Sequence, residues 1–357
     1  MYILGLGTAT PPYRYTQTEC WAALQASPQF PALTARSQTI LEIILLGNNG
    51  ITSRCLALES LKDAFDLNPD TLHRRFAQHA PLLATEAAEH ALRDAGQPAK
   101  DIEAIIISTC TGYLCPGLTS YVAESLGLRR DVLALDLVGQ GCGAALPNMR
   151  MAAALLSAER CRHVLSICVE VCSAAFYLDN DPGVLVSACL FGDGAGAAVL
   201  ASRPSSRNRQ IQWTAAGSAL VPAERDALRF EQQHGMLRNI LKRSVPKLAA
   251  TQAEAVLDDV LSKAGVSRSE IQTWIWHAGG RDVLDAVQEQ LKLSPDDLQW
   301  SRTVLNEYGN LSSAFVYFVL QEAVRKTAPG GRWWMSSFGA GFSCHGALLE
   351  VGPGHAS

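Results

Sequence analysis

The chain has 357 residues, 48% of them hydrophobic and 18% charged, which is material for a sizeable core in one large or two ordinary domains. Its 30 Lys and Arg against 34 Asp and Glu give a net charge of −4, and no basic run interleaves with aromatics, so nucleic acid and anionic membrane are poor partners. Ten cysteines without a secretory leader or a C-x-x-C pair read as a reduced, cytoplasmic protein with no metal site, and no apolar run is long enough for a membrane span.

Tyr2 to Gly7 reads as a strand and Thr8 to Pro12 as its turn. Thr16 is positioned to cap a helix to Gln25, and helical periodicity returns around Leu41, from Ala57 to Phe65, and from Asp70 to Ala95, where Gly96 and Pro98 end it. The β-branched run Ala104 to Cys110 predicts a strand covered on both faces. A turn from Thr111 to Pro116, a helix to Gly127 and a strand from Val132 to Leu137 follow. Next comes Asp136 to Arg150, DLVGQGCGAALPNMR, a short strand and Gly-rich turn from which Cys142 opens an Ala-rich helix. His163 to Glu170 and Cys189 to Leu200 read as buried strands, with Tyr177 to Gly183 as a surface loop between them.

The second half repeats this plan: strand Trp274 to His277, helix Val283 to Leu291, the segment Val304 to Gly309, then a helix beginning near Asn310. Nearly the same interval separates Cys110 from Cys142 and His277 from Asn310. Both halves finish alike, in Phe191-Gly-Asp-Gly-Ala-Gly and Phe338-Gly-Ala-Gly-Phe, each leading into an apolar strand. A duplicated α/β unit explains this, with residues 1–205 and 206–357 as the halves and the polar stretch Arg203 to Gln210 as the joint. Equivalent junctions of a duplicated pair can face one another, so Cys142, His277 and Asn310 are expected in one pocket.

A thiol at the first turn of a buried helix meets unpaired N–H groups and the positive end of the helix dipole, which favour the thiolate. Gly141 and Gly143 would let a bulky thioester approach. A protonated His277 would stabilise the thiolate, and His277 and the Asn310 amide would donate to a developing oxyanion or enolate. Each residue also has a plain structural reading: Cys142 as a small buried hydrophobe, His277 as a core histidine bonded to a carbonyl, Asn310 as a helix cap.

Gly139-Gln-Gly-Cys-Gly, Leu190-Phe-Gly-Asp-Gly-Ala, Trp276-His-Ala-Gly-Gly and Tyr308-Gly-Asn-Leu-Ser-Ser, in this order, resemble the signature motifs of the type III polyketide synthases, the chalcone and stilbene synthase family. The opening GLGTATPP, Cys110-Thr-Gly and Pro116-Gly extend the similarity over nearly the whole chain. The resemblance implies a thiolase-like five-layer αβαβα fold and a homodimer using acyl-CoA and malonyl-CoA, with no cofactor beyond these coenzyme A thioesters. It makes Cys142 the acyl-carrying nucleophile, with His277 and Asn310 assisting decarboxylation. Phe191 and Phe230 would be gatekeepers between a coenzyme A tunnel and the cavity. Glu170 would support a water network, and Ser312 would contact substrate.

The chain departs from the family pattern in several places. Thr39 to Gly50 lacks the basic residues that hold coenzyme A phosphates in plant members, leaving Arg54 and Arg281 as candidates and carrier-protein delivery as an option. His-Ala-Gly-Gly and Phe-Gly-Ala-Gly replace the plant forms and suggest a bacterial branch. Cys110, Thr111, Cys115, Cys172, Ala175 and Ser187 fall at positions that shape the pocket, and their small size predicts room for a long acyl starter. The rivals are a β-ketoacyl carrier-protein synthase of the initiating class, which extends once, and an inactive thiolase-fold binding partner.

Overall fold

The structure is a computed structural model that describes residues 1–353. Its strands are β1 (Tyr2–Ala9), β2 (Arg14–Thr16), β3 (Ser53–Cys55), β4 (Ala104–Ser108), β5 (Leu133–Leu137), β6 (His163–Glu170), β7 (Gly194–Ala201), β8 (Ile211–Leu220), β9 (Leu228–Gln233), β10 (Met236–Leu241), β11 (Ile271–Trp276), β12 (Gly331–Gly339) and β13 (Ser343–Val351). The helices are α1 (Gln17–Gln25), α2 (Ala35–Leu46), α3 (Pro69–Ala95), α4 (Leu118–Leu126), α5 (Ala145–Ser157), α6 (Pro182–Leu190), α7 (Val245–Ala264), α8 (Arg281–Leu291), α9 (Gln299–Tyr308) and α10 (Phe315–Arg325).

Nine strands make one sheet in the order β11-β12-β13-β8-β1-β7-β6-β4-β5. The duplication is visible in the pairing. Along β1-β7-β6-β4 and along β8-β13-β12-β11, the partners run antiparallel, antiparallel, then parallel. The two sets join where Tyr2 pairs with Gln212 and Ile3 with Ile211. Helix α5 packs on β4, β6 and β7 of the first half and on β12 and β13 of the second, while α10 packs on β1, β7, β11 and β12. These two helices are the middle layer, which is why Phe315 to Leu320 are all buried. Helices α3 and α4 cover the outer face of the first half, and α7 covers β8 and β13 with α8 against it. The thiolase-like αβαβα arrangement is the observed one.

Local signals explain most boundaries. Thr16 and Glu19 form a capping box at the start of α1. Helix α3 is one continuous element that ends at Gly96, whose φ of 65° suits glycine. Three expectations are corrected. Ala57 to Phe65 is not a helix: the Ala57 N–H is donated to the Asp193 carboxylate (2.6 Å), which holds the segment extended until a short 3₁₀ turn at Leu61–Phe65. Cys189 to Leu200 is not one strand. Residues Pro182–Leu190 form α6, because Asp181 accepts from the N–H groups of Gly183 and Val184 and Pro182 fits the first turn. Finally, Val304 to Tyr308 is the end of α9, where the first half has β5, and α10 begins only at Phe315, after a 3₁₀ turn at Ser312–Ala314.

The alanine face of α3 lies so close to β1 that a Cβ on Gly7 would land on the Ala87 carbonyl oxygen, and one on Gly5 on the backbone of Ala95. Gly7→Ala is therefore expected to cost about 1–3 kcal/mol, read as a lower urea midpoint with an unchanged m-value.

Candidate active site

Cys142 sits in the single 3₁₀ turn Gly141–Gly143 that leads into α5. Gly141 has a φ of 56°, and a Cβ on Gly143 would meet the backbone of Gly339. The Ser337 hydroxyl donates to the Gly143 carbonyl (3.0 Å). The glycines around Cys142 thus serve the docking of the second half's Phe338-Gly339-Ala340 turn.

A second junction brings the other motifs in. The Asn310 N–H donates to the Leu190 carbonyl (2.8 Å) and the Gly192 N–H to the Asn310 carbonyl (3.0 Å), so Phe191 and Asn310 lie side by side. Asn310 Nδ2 donates to the Gly279 carbonyl (3.2 Å), and its Oδ1 accepts from the Ser312 N–H (2.8 Å). This fixes the amide and leaves one N–H for a ligand. His277 is buried at the end of β11, its backbone N–H on the Ser336 carbonyl (2.9 Å) and its ring edge-on to Phe315 at 5.4 Å.

Around Cys142 the polar groups form a continuous set. The Ser312 hydroxyl lies 3.2 Å from Cys142 Sγ, 3.2 Å from Cys110 Sγ and 3.3 Å from Glu170 Oε1. Glu170, fully buried, also accepts from the Ser313 hydroxyl, from the Cys110 N–H (3.1 Å) and from the Thr111 hydroxyl (2.9 Å). Burial pushes its carboxyl up, against the pull of these donors. The Cys142 thiol is held well below the usual thiol range by the Cys110 thiol donating toward it, by the hydrogen bond and charge of His277, and by Ser312, which together outweigh burial. Cys110 moves the opposite way, raised by its bond to Cys142, by burial and by the Glu170 charge. The set therefore gives one of two neighbouring thiols the negative charge.

A cavity open to solvent adjoins this set at Ser312, Thr111 and Phe191. Cys172, Ala175, Ser187 and Phe230 also line it, as the sequence reading expected, and Leu24, Leu41, Leu45, Leu56, Leu58 and Leu61 form an apolar arm. Tyr177 and Leu178, expected in a surface loop, line it as well.

A chalcone and stilbene synthase N-terminal domain model matches residues 66–204, and the C-terminal domain model of the same family matches residues 212–356. The chain belongs to the chalcone and stilbene synthase family. It is a type III polyketide synthase, an acyltransferase. It is 30% identical over 361 residues to the 3,5-dihydroxyphenylacetyl-CoA synthase of Streptomyces toyocaensis, covering 98% of this chain and 89% of that one. Among solved structures it is similar to PKS-I of the brown alga Ectocarpus siliculosus, with TM-score 0.88, 26% identity and coverage of 98% and 97%. It is also similar to the C-terminal type III polyketide synthase domain of Steely1 from Dictyostelium, with TM-score 0.87, 25% identity and coverage of 98% and 99%.

Within this synthase two of the residues picked from sequence, Arg281 and Cys115, do not serve as expected. Arg54 is buried, with its Nη1 donating to the carbonyls of Ala188 and Phe191 (2.9 Å each) and its Nε to Gln17 (3.1 Å); it braces the Phe191 turn, while its Nη2 has no hydrogen-bond partner among the described residues and the residue lines the cavity. Arg281 donates to the Asn48 carbonyl and faces Asp282 and Asp285 at 3.6 and 3.7 Å, an acidic setting that opposes an anion. Cys115 is exposed, because the turn after Thr111 carries the chain outward past exposed Tyr113, and it does not line the cavity of its own chain. Sequence reasoning missed Ser313, although it stands in the quoted Asn-Leu-Ser-Ser motif, and Asn239 in the cavity wall, whose position on β10 carried no signal.

Because a depressed thiol is ionised at lower pH, alkylation of Cys142 by iodoacetamide is expected to titrate with a midpoint below the ordinary thiol value of about 8.5. His277→Ala should move that midpoint upward, measured as the pH dependence of the labelling rate by intact mass, while Cys142→Ala abolishes the labelled site.

Proposed function

We propose that this synthase loads an aliphatic acyl group from acyl-CoA onto Cys142 and extends it with several malonyl-CoA units. The cavity carries this reading: its leucine arm offers about six apolar side chains to a hydrocarbon and joins the nucleophile through Ser312. Cys142 Sγ attacks the starter thioester carbonyl and coenzyme A leaves as its thiol. Malonyl thioester then loses carbon dioxide, and the enolate oxygen is held by the free N–H of Asn310 and by His277. The enolate carbon attacks the Cys142 thioester, forming a carbon–carbon bond and freeing the thiolate for the next round. Repetition and ring closure give a resorcinol, pyrone or phloroglucinol-type product. The chemistry as proposed needs no cofactor beyond the coenzyme A thioesters.

The active form is proposed to be a cytoplasmic homodimer. Strand β5 is an unpaired sheet edge among the described residues, Leu133 on it and Val138 just after it are exposed apolar side chains, and Met151 on α5 is another. With Arg281 facing Asp282 and Asp285 and no basic residue in Thr39 to Gly50, an acyl carrier protein is a further source of the starter. Among the described residues no helix is long and apolar enough to cross a membrane.

Incubation with malonyl-CoA and starters from acetyl-CoA through octanoyl- and palmitoyl-CoA to p-coumaroyl-CoA, read by mass spectrometry, tests the substrate. Products with two or more added ketide units, most abundant from octanoyl- or palmitoyl-CoA and absent in Cys142→Ala, are expected. Turnover of malonyl-CoA alone, or of p-coumaroyl-CoA alone, would overturn the aliphatic starter; single extension would place the activity with initiating ketoacyl synthases. Light scattering should give about twice the 38.4 kDa chain mass, falling toward that of one chain in Val138→Asp/Met151→Asp.

A further inference from the structure

Strands β9 and β10 form a two-stranded ribbon outside the main sheet, and in it Phe230 and Asn239 are directly opposite one another. Both line the cavity. Phe230 suits an apolar wall. Asn239 does not, since it is only 7% exposed and its surroundings are largely Leu, Ala, Phe and Cys.

The amide has a fixed orientation. The Ser187 hydroxyl donates to the Gly183 carbonyl (2.7 Å), so it can only accept from Asn239, whose Nδ2 lies 2.6 Å away. Among the described residues Asn239 Oδ1 and the second Nδ2 hydrogen have no partner. The amide has one of its bonds made and offers the rest to whatever enters the cavity in place of water. What remains open includes an acceptor, Oδ1, that calls for a ligand N–H.

Both substrates of the proposed reaction bring that group. The acyl and malonyl parts of a thioester, in the keto form, carry acceptors only and cannot satisfy Oδ1. The pantetheine arm that starter and extender share carries secondary amides, each with an N–H and a carbonyl. We propose that Asn239, held by Ser187, binds a pantetheine amide of the incoming thioester, its Oδ1 accepting from the amide N–H. This rests on the use of pantetheine thioesters by the synthase, and it makes Asn239 a binding residue that sets how far the acyl group reaches toward Cys142.

The test reads acylation of Cys142 by intact mass, which does not depend on any polyketide being made. Octanoyl-CoA, octanoyl-N-acetylcysteamine, which keeps one amide, and the octanoyl thioester of propanethiol, which has none, are compared on the wild type and on Asn239→Leu. The wild type should lose about tenfold in acylation efficiency on going from N-acetylcysteamine to propanethiol, and Asn239→Leu should lose that discrimination while the propanethiol ester acylates both proteins alike. With malonyl-CoA, the variant should show a raised KM and a nearly unchanged kcat. Ser187→Ala, which frees the amide to turn, should give an intermediate loss. Equal discrimination in wild type and Asn239→Leu overturns the assignment, as does a variant that keeps its KM and changes only the length of the product, which would put the amide on the ketide chain. Should Asn239→Leu not fold, absence of any preference among the three esters in the wild type overturns it alone. Failure of the polyketide reading is separate: it appears as acylated Cys142 without multiply extended products.

Discussion

The site depends on two places where the backbones of the halves touch with no side chain between them. At one, Gly143 lies against Gly339; at the other, Asn310 exchanges backbone hydrogen bonds with Leu190 and Gly192. A Cβ on Gly143 would meet Gly339, one on Gly192 would land on the Tyr308 carbonyl, and one on Gly309 would meet the Leu190 carbonyl and the Arg54 side chain. Glycine at these points is what lets a thiol from the first half stand within reach of an imidazole and an amide from the second. The shared sheet, joined at Tyr2 and Ile3, and the middle layer of α5 and α10 hold that approach in register.

From that approach follows the charge distribution. Cys142 is flanked by donors that favour its thiolate, while Cys110, a hydrogen bond away from the same Ser312 hydroxyl, faces the buried Glu170 and stays protonated. Two thiols of identical intrinsic chemistry are therefore split by position, one beside His277 and one beside a carboxylate. Asp193, in the Phe-Gly-Asp-Gly turn, works one layer back: its carboxylate takes the N–H of Ala57 and both the N–H and hydroxyl of Ser173, tying two cavity walls to the Phe191 turn. Arg54 does the corresponding work from the other side. Arg54, which the sequence reading offers to a coenzyme A phosphate, thus also holds the Phe191 turn.

The cavity is mixed in character for the same reason. Its polar end is made by Thr111, Ser173 and Ser312, which lie where the halves meet, and its apolar arm by leucines from α1, α2 and the segment after β3, which belong to one half alone. The ribbon β9–β10, attached to neither set of strands, closes the wall with Phe230 and Asn239.

The order of most elements, the duplicated plan and the gathering of Cys142, His277 and Asn310 at one junction were legible from the chain, because strand runs, Gly-rich turns and motif order are local properties that survive without coordinates. The helix α6 was misread although Asp181-Pro182 announced it, since its apolar residues also fit a buried strand. Which arginine is free, which thiol ionises and which polar side chain faces the cavity were decided only by tertiary structure. Arg54 finds its carbonyls on α6 and Cys110 its carboxylate on β6, and Asn239 is turned by a serine from α6. Each is a contact between residues far apart in sequence, and the partners of a polar group are fixed only when the chain has brought them together.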